Sequence, residues 1–193
     1  MKIIGVGCGP GLLTEQAIRE LKRAGHVYGS DRAIELARTV LSTSCITKSI
    51  DDYKKLHTLP EDAVILSTGD PMLAGLGYLK GEVIPGISSL QLATARLHIP
   101  LSRVSVVVAH GRGHEKGMKE TVDELKREKI VFLLADPKFN TAELYRRLAD
   151  LPGPLQVALC ENLGYPDERI VVGNLQSLPE VKASLYSLLI GNF

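Results

Sequence analysis

The chain has 193 residues, of which 45% are apolar and 23% are charged, and its formal net charge is +1. Such values are ordinary for a globular protein with a sizeable core, and they exclude an overall electrostatic attraction to nucleic acid or an anionic membrane. No apolar run is long enough to span a bilayer, and the opening run MKIIGVG is too short for a signal peptide. From the net charge and the short apolar runs together, we expect no nucleic acid and no membrane as partners.

The first half of the chain alternates short apolar runs with helical patterns. The first helix has Thr14 as its expected N-cap, with Ala17, Ile18 and Leu21 on one apolar face. The whole pattern predicts strands at residues 2–7, 26–30, 45–49, 62–68 and 81–86, and helices at 14–24, 31–41, 50–59 and 87–97. Such an alternation is typical of α/β proteins.

A proline in the segment HIPLSRV interrupts this periodicity and predicts a domain boundary, with one domain at 1–99 and a second at 104–193. The second half then begins a new alternation. It predicts strands at 105–111, 129–136, 155–162 and 184–191 and helices at 115–128 and 140–151, and it leaves 168–178 unassigned. The predicted fold class is α/β, with two α/β domains.

The cysteines carry little information about chemistry. Cys8, Cys45 and Cys160 are odd in number and too widely spaced for a disulfide framework or a metal site. We interpret them as reduced thiols, which favours a cytoplasmic location. No metal ligand is predicted.

The opening turn GVGCGPG lies between a strand and a helix, where dinucleotide-binding proteins carry G-x-G-x-x-G. No register fits, because counting from Gly5 and Gly7 puts Pro10 at the third position. Pro10 also removes an N–H group from a turn that would have to face a pyrophosphate. The glycines are therefore expected to allow a tight turn and the close approach of another backbone or a flat ligand.

Further loops rich in glycine, proline and small polar residues follow predicted strands, namely STGDPMLAGLG (67–77), VIPGISSLQLA (83–93) and ENLGYPDERI (161–170). Because α/β sheets bind ligands at the carboxyl ends of their strands, these loops could converge on one site. Structural explanations stay open beside this one. Asp70 could form a cap or an Asx-turn, and Ser88 or Ser89 could cap the following helix.

Taken together, GVGCGPG, GDPMLAGLG and VIPGISSLQLA resemble the tetrapyrrole methylase family of S-adenosylmethionine-dependent methyltransferases, in order, spacing and position. HGRG (110–113) and ENLGYPDERIVVGNL (161–175) are similar to the branch that methylates C5 of precorrin-7 or cobalt-precorrin-7 in corrin synthesis. The resemblance implies two α/β domains with S-adenosylmethionine in a cleft between them, a corrinoid substrate and a homodimer. It also implies that a separate methyltransferase and decarboxylase acting at C15 is a pathway partner.

Carried over residue by residue, the resemblance assigns a cofactor site and part of a substrate site. Pro10 is expected to border the substrate. The residues expected to contact the cofactor are Gly69, Asp70, Met72, Leu73, Ser88, Ser89, Leu134, Ala135, Asn162, Leu163 and Tyr186.

One departure from the family pattern concerns the opening turn. Family members commonly have G-P-G-D-P-x-L-L-T here, whereas this chain runs directly from Gly11 to Leu12. The loop is therefore shorter and lacks its acidic residue. A binding module without turnover stays open as an alternative on this ground.

The segment HGRGHEKGMK forms a local basic cluster in a nearly neutral chain. The resemblance implies a large flat substrate with several acidic side chains, and Arg112 is the expected carboxylate clamp because its planar fork binds carboxylates in pairs of hydrogen bonds. His110 is a weak candidate for moving a proton after methylation, and a structural hydrogen bond is the competing explanation. A solvated loop is the competing explanation for Arg112.

Alternative functions remain at this point. Another acceptor is possible within the family, either a different ring carbon or a protein residue as in diphthine synthesis. Outside the family, Asp31 at the end of the second strand keeps a dinucleotide-dependent oxidoreductase open. Glu161, Asp167 and Glu168 are interpreted as loop and dimer-contact residues.

Overall fold

The computed structural model describes residues 1–110 and 113–193. Its contacts divide the chain into two compact units, Met1–Ser89 and Leu90–Phe193. Each unit has its own sheet and its own core. This division by contacts lies after Ser89, whereas the sequence predicts a domain boundary at 98–104. The boundary at 98–104 stays a prediction.

The N-terminal unit is built on a five-stranded parallel sheet with the order β3-β2-β4-β1-β5. Its strands are β1 (Lys2–Gly5), β2 (His26–Gly29), β3 (Ile46–Ser49), β4 (Val64–Ser67) and β5 (Glu82–Ile84). Its helices are α1 (Glu15–Leu21), α2 (Asp31–Ala37) and the short α3 (Pro71–Ala74), and α4 (Ser89–Arg96) begins at the last residue of the unit. The helix predicted over 50–59 is a 3-10 helix at Tyr53–Thr58.

The central strands β1 and β4 carry the core of this unit. Ile3, Ile4, Ile65 and Leu66 are buried, as expected for parallel strands that are covered on both faces. Serine and threonine caps begin the flanking helices. The predicted N-cap Thr14 is confirmed, because its Oγ1 accepts a hydrogen bond from Ala17 N at 3.1 Å.

The C-terminal unit is built on a mixed sheet with the order β6-β7-β10-β8-β9. Its strands are β6 (Val104–Ala109), β7 (Ile130–Ala135), β8 (Gln156–Glu161), β9 (Arg169–Asn174) and β10 (Tyr186–Gly191), and its long helices are α5 (His114–Lys126) and α6 (Thr141–Leu148). β6 and β7 are parallel, and the other neighbours are antiparallel. The unassigned segment 168–178 contains β9, an edge strand.

The core of the C-terminal unit lies between its sheet and the helices α5 and α6. Leu133, Leu144 and Leu159 are completely buried there, and Phe132 is completely buried on the other face of β7. Gly117 allows α5 to approach β6, since a Cβ atom at this position would lie 2.6 Å from the Cβ of Ala109. In the described ranges, no helix combines the length and the apolar character needed to cross a membrane.

Candidate functional site

Glycine-rich loops meet at the carboxyl edge of the N-terminal sheet, where β1, β4 and β5 end. Gly7 and Gly69 form an antiparallel bridge, with hydrogen bonds of 3.3 Å from Gly7 N to Gly69 O and 2.8 Å from Gly69 N to Gly7 O. Cys8 N donates to Ile87 O at 2.9 Å, which ties the opening turn to the loop after β5. The motifs that are separate in sequence therefore form one continuous backbone surface.

This contact between loops depends on the absence of side chains. A Cβ atom at Gly86 would lie 2.2 Å from Gly69 O and 2.9 Å from Gly5 Cα. Gly69 itself has a φ of +70°, which residues with a Cβ rarely adopt. The expectation that another backbone approaches the opening glycines is confirmed.

The same contacts argue against a phosphate cradle at the opening turn. The N–H groups of residues 6, 7 and 8 donate to the carbonyl oxygens of Ser67 at the end of β4, Gly69 and Ile87, at 2.9, 3.3 and 2.9 Å. Pro10 has no N–H group to offer. These three N–H groups and Pro10 therefore offer no free backbone donor to a pyrophosphate.

Asp70 joins two of the loops through its carboxylate. Its Oδ1 accepts a hydrogen bond from Met72 N at 2.7 Å and caps α3, while Oδ2 accepts one from Gly86 N at 3.1 Å. The alternative interpretation of Asp70 as a cap is thus confirmed. A contact between Asp70 and a cofactor stays a prediction.

The other predicted residues of the N-terminal unit lie on the same edge. Met72 is exposed, Leu73 and Ser89 are half-buried, and Ser88 is buried. Pro10 is exposed on the opening turn. The edge therefore offers apolar side chains and backbone groups more than charged ones.

The predicted residues of the C-terminal unit share one edge of the second sheet. The register pairs Ala109 with Ala135, and Tyr186 with Glu161, so β6, β7 and β8 end where β10 begins. Leu134 and Ala135 end β7, and Tyr186 begins β10. Asn162 and Leu163 follow β8 directly.

Asn162 and Leu163 hold the loop after β8 in a tight turn. Asn162 has a φ of +48°, its backbone N donates to Leu185 O at 3.0 Å, and its side-chain Nδ2 donates to Asp167 Oδ2 at 2.7 Å. Asparagine is one of the few residues that tolerates this conformation. Leu163 is buried beneath the turn.

Glu161 is a buried connection point behind this turn. Its Oε1 accepts hydrogen bonds from Lys182 N and Ala183 N, the latter at 2.8 Å, and its Oε2 is paired with Arg169. Burial alone would raise the pKa of Glu161, but these N–H groups and the guanidinium outweigh it and hold the pKa below its usual range. The interpretation of Glu161 as a loop residue is wrong, because it is the last residue of β8 and only 1% exposed.

Asp136 and His114 form a second connection at this edge. His114 Nε2 lies 2.9 Å from Asp136 Oδ2, and the imidazole ring meets Phe139 edge-on at 5.5 Å. The hydroxyl of Tyr186 donates to the main-chain oxygen of Asp136 at 3.4 Å. The start of α5 is thereby attached to the loop that follows the predicted cofactor residues of β7.

The two predicted substrate residues near α5 differ in what the structure says of them. His110 is exposed directly after β6. Arg112 lies outside the described residues. The sequence analysis did not predict the pairing of His114 with Asp136. An acidic residue directly after the apolar run LLA could have indicated a polar contact at this strand end.

The edges of the sheets show no metal centre within the described ranges, and the buried thiol of Cys160 is not activated. No group of three or more His, Cys, Asp or Glu side chains there could hold a metal ion. The cysteines are free, and burial raises the pKa of the Cys160 thiol to about 12. This thiol is therefore not a nucleophile near neutral pH.

The comparisons with known proteins decide the family. A family model described as tetrapyrrole (corrin/porphyrin) methylases matches residues 2–179. The chain belongs to the tetrapyrrole methylase family. This tetrapyrrole methylase is 32% identical to a probable cobalt-precorrin-7 C(5)-methyltransferase of Methanocaldococcus jannaschii, over 95% of this chain and 93% of that one.

Solved structures agree with this assignment of the tetrapyrrole methylase. A cobalamin biosynthesis precorrin-6Y methylase from Archaeoglobus fulgidus matches with a TM-score of 0.77 and 31% identity, over 99% of this chain and 96% of that one. The methyltransferase CobJ matches with a TM-score of 0.83 and 18% identity, over 99% and 93% of the two chains, which shows the fold alone. The predicted α/β class with two sheets is confirmed.

Proposed function

We propose that this chain transfers a methyl group from S-adenosylmethionine to C5 of precorrin-7 or cobalt-precorrin-7. The observation that carries the proposal is the 32% identity to a probable cobalt-precorrin-7 C(5)-methyltransferase over nearly the full length of both chains. The resemblance of HGRG and ENLGYPDERIVVGNL to the C5-specific branch supports the same acceptor.

The residues at the two sheet edges suit S-adenosylmethionine. On the N-terminal unit the backbone of the joined glycine loops, with Met72 and Leu73, offers hydrogen-bonding groups beside apolar side chains. On the C-terminal unit Leu134, Ala135 and Leu163 are apolar. Such a lining fits a molecule with an apolar adenosine face and polar edges.

When bound, the sulfonium supplies the activated methyl group. The chain's own residues then have to bind, orient and exclude water. The electron-rich carbon of the substrate attacks the methyl directly, so no protein nucleophile is needed, in agreement with the raised pKa of the Cys160 thiol. Asp70 and Glu161 keep the loops in place through hydrogen bonds to backbone N–H groups.

The methylated carbon loses a proton, and His110 is the residue we propose to move it. His110 is exposed at the end of β6, on the same sheet edge as Ala135. Arg112 and Pro10 complete the proposed contacts with the substrate. A homodimer, a cytoplasmic location and a separate C15-methyltransferase belong to the proposal as well.

The test is methyl transfer to a panel of acceptors. The purified protein with isotopically labelled S-adenosylmethionine should label precorrin-7 or cobalt-precorrin-7, and should leave uroporphyrinogen III and protein acceptors unlabelled. Labelling of a protein acceptor alone would replace the corrin substrate by a diphthine-type one. Tight NAD binding without binding of S-adenosylmethionine would overturn the cofactor assignment.

A further inference from the structure

The guanidinium of Arg32 lies at the carboxyl edge of the N-terminal sheet, outside every set of residues assigned so far. Arg32 is the second residue of α2, which directly follows β2, and Thr68 directly follows β4. β2 and β4 are parallel neighbours, so their carboxyl ends are adjacent. Arg32 Nη2 donates to Thr68 Oγ1 at 3.0 Å, immediately before Gly69 and Asp70.

The charge of Arg32 has no carboxylate partner among the residues that the structure describes. Most of the other described arginines form ion pairs, as with Arg96 and Glu168 at 2.7 Å or Arg147 and Glu115 at 2.8 Å, whereas Arg23 and Arg103 do not. A cation in the first turn of a helix is also disfavoured by the helix dipole. Neither ion pairing nor helix stability therefore explains an arginine at this position.

Two carboxylates on this edge, Asp70 and Asp52, are committed to other groups. Both oxygens of Asp70 accept backbone hydrogen bonds. Asp52, which follows β3 on the same edge, accepts a hydrogen bond from Lys54 N at 2.9 Å and lies 3.9 Å from Lys55 Nζ. The edge thus presents an exposed cation that is attached to Thr68 and has no ion-pair partner among the described residues.

Arg32 and Thr68 together offer a small anion site. Five N–H groups of a guanidinium form a planar fork, and the hydrogen bond to Thr68 uses one of them. The Thr68 hydroxyl accepts that bond and keeps its own hydrogen for donation. A carboxylate can accept hydrogen bonds from the fork and from the hydroxyl at once.

We propose that Arg32 and Thr68 bind a peripheral carboxylate of the acceptor macrocycle, and so determine which acidic substrate is positioned beside the GDP loop (69–71). This proposal rests on the proposed function, because it takes its ligand from the corrin substrate. It places a carboxylate contact on the N-terminal unit, distinct from the one expected at Arg112. Arg32 is thereby a substrate-binding residue that the motif comparison does not include.

The test separates acceptor binding from cofactor binding. Arg32→Met should raise the KM for cobalt-precorrin-7 about tenfold or more, because a charged hydrogen-bonding partner is lost. Its kcat and its Kd for S-adenosylhomocysteine, measured by calorimetry, should stay within about twofold of wild type. Arg32→Lys keeps the charge but not the planar guanidinium, so its KM should lie between those of wild type and Arg32→Met. Thr68→Val should show a smaller rise in KM.

Arg23 provides a matched control. It is exposed, forms no ion pair among the described residues, and lies after α1, just before β2 begins, at the opposite edge of the sheet. Arg23→Met should leave the KM unchanged.

Each remaining outcome has one meaning. An unchanged KM in Arg32→Met, beside an active wild type, overturns the Arg32 site and leaves the proposed function intact. A parallel loss of S-adenosylhomocysteine binding and helical circular dichroism in Arg32→Met, with the same loss in Arg32→Lys, assigns Arg32 to folding and overturns the site as well. A wild type that binds S-adenosylhomocysteine but methylates neither corrin acceptor overturns the proposed function, and the Arg32 proposal with it.

Discussion

At the scale of single residues, buried polar groups divide into those with partners and those without. Glu161 is buried with two backbone donors and a guanidinium, whereas the hydroxyl of Ser187, one strand away, is buried without a partner among the described residues. Burial of a polar group costs free energy unless hydrogen bonds replace those to water. Substitution of Glu161 should therefore lower the free energy of unfolding, and substitution of Ser187 should raise it.

Glu161 should make the C-terminal unit sensitive to acid. Its pKa is lowered in the folded chain from an ordinary 4.5, so the unfolded chain takes up the proton first as the pH falls. The stabilisation is fully present above pH 4.5 and is lost as the pH falls through the lowered folded pKa. The check is the free energy of unfolding measured by denaturant titration at several pH values.

Glu161→Gln supplies the reference for this measurement. It should be less stable than wild type by about 3 kcal/mol at neutral pH, because Arg169 loses its buried partner. The difference between the two proteins should shrink below pH 4.5. A difference that stays constant down to pH 2 would show that Glu161 does not carry the effect.

Ser187→Ala should stabilise the protein. Removing a buried hydroxyl without a partner should raise the free energy of unfolding by about 1 kcal/mol. Ser105→Ala is the matched control, since its Oγ donates to Glu124 Oε2 at 2.7 Å and its removal should destabilise. Destabilisation by Ser187→Ala, seen in thermal or urea unfolding, would mean that Ser187 has a partner after all.

The sequence predicts local features of residues better than distant contacts. Thr14 and Ser30 cap helices through neighbours three residues along the chain, and a pattern can indicate such caps. Glu161 instead bonds to residues 182 and 183, and Arg32 to Thr68. Contacts across such separations depend on the tertiary fold, and nothing local in the sequence indicates them.

At the scale of elements, close packing of backbone holds the loops of the N-terminal unit. Gly5 and Gly86 bring the ends of β1 and β5 and the loop after β4 to distances that a Cβ would prevent, and Gly69 supplies the positive φ that the loop needs. The short helix α3, absent from the predicted elements, begins at the same junction, where Asp70 caps it and Pro71 is its first residue. The sequence predicts a close backbone approach at the opening glycines, and the structure shows that the loops after β4 and β5 are the approaching backbone.

Gly86→Ala should disrupt this junction. Because the new methyl group would lie 2.2 Å from Gly69 O, a backbone atom, the loops have to move apart, at a cost of about 3 kcal/mol in the free energy of unfolding. Gly25→Ala is the control, since a Cβ there meets nothing within 4 Å and should leave stability nearly unchanged or slightly raised. Equal urea midpoints for the two variants would contradict the packing argument.

Elements with clear periodicity are predicted well, and irregular ones are not. β7 and α6 lie within their predicted ranges, and α5 begins one residue before its own. The segment 50–59 forms a 3-10 helix, and β9 lies in the segment left unassigned. β9 is an edge strand whose side chains are mostly half-exposed, so its sequence carries neither a buried run nor a clean alternation.

At the scale of the whole molecule, the two sheets differ in strand direction, but in both of them the predicted cofactor residues lie at one edge. The parallel sheet and the mixed sheet each gather the predicted cofactor residues at the edge where β4 and β7, respectively, end. Family membership follows from the match over residues 2–179. The acceptor carbon depends on side chains around the substrate, which fold alone does not determine.

The position of the transferred methyl group tests the central claim most directly. The protein is incubated with S-adenosylmethionine carrying a ¹³C methyl group and with cobalt-precorrin-7 or precorrin-7, and the product is examined by NMR. We predict one new ¹³C methyl signal, with couplings that place it on C5, and one equivalent of S-adenosylhomocysteine. A methyl group on another ring carbon, or S-adenosylmethionine left unconsumed with both acceptors, would contradict a C5-methyltransferase.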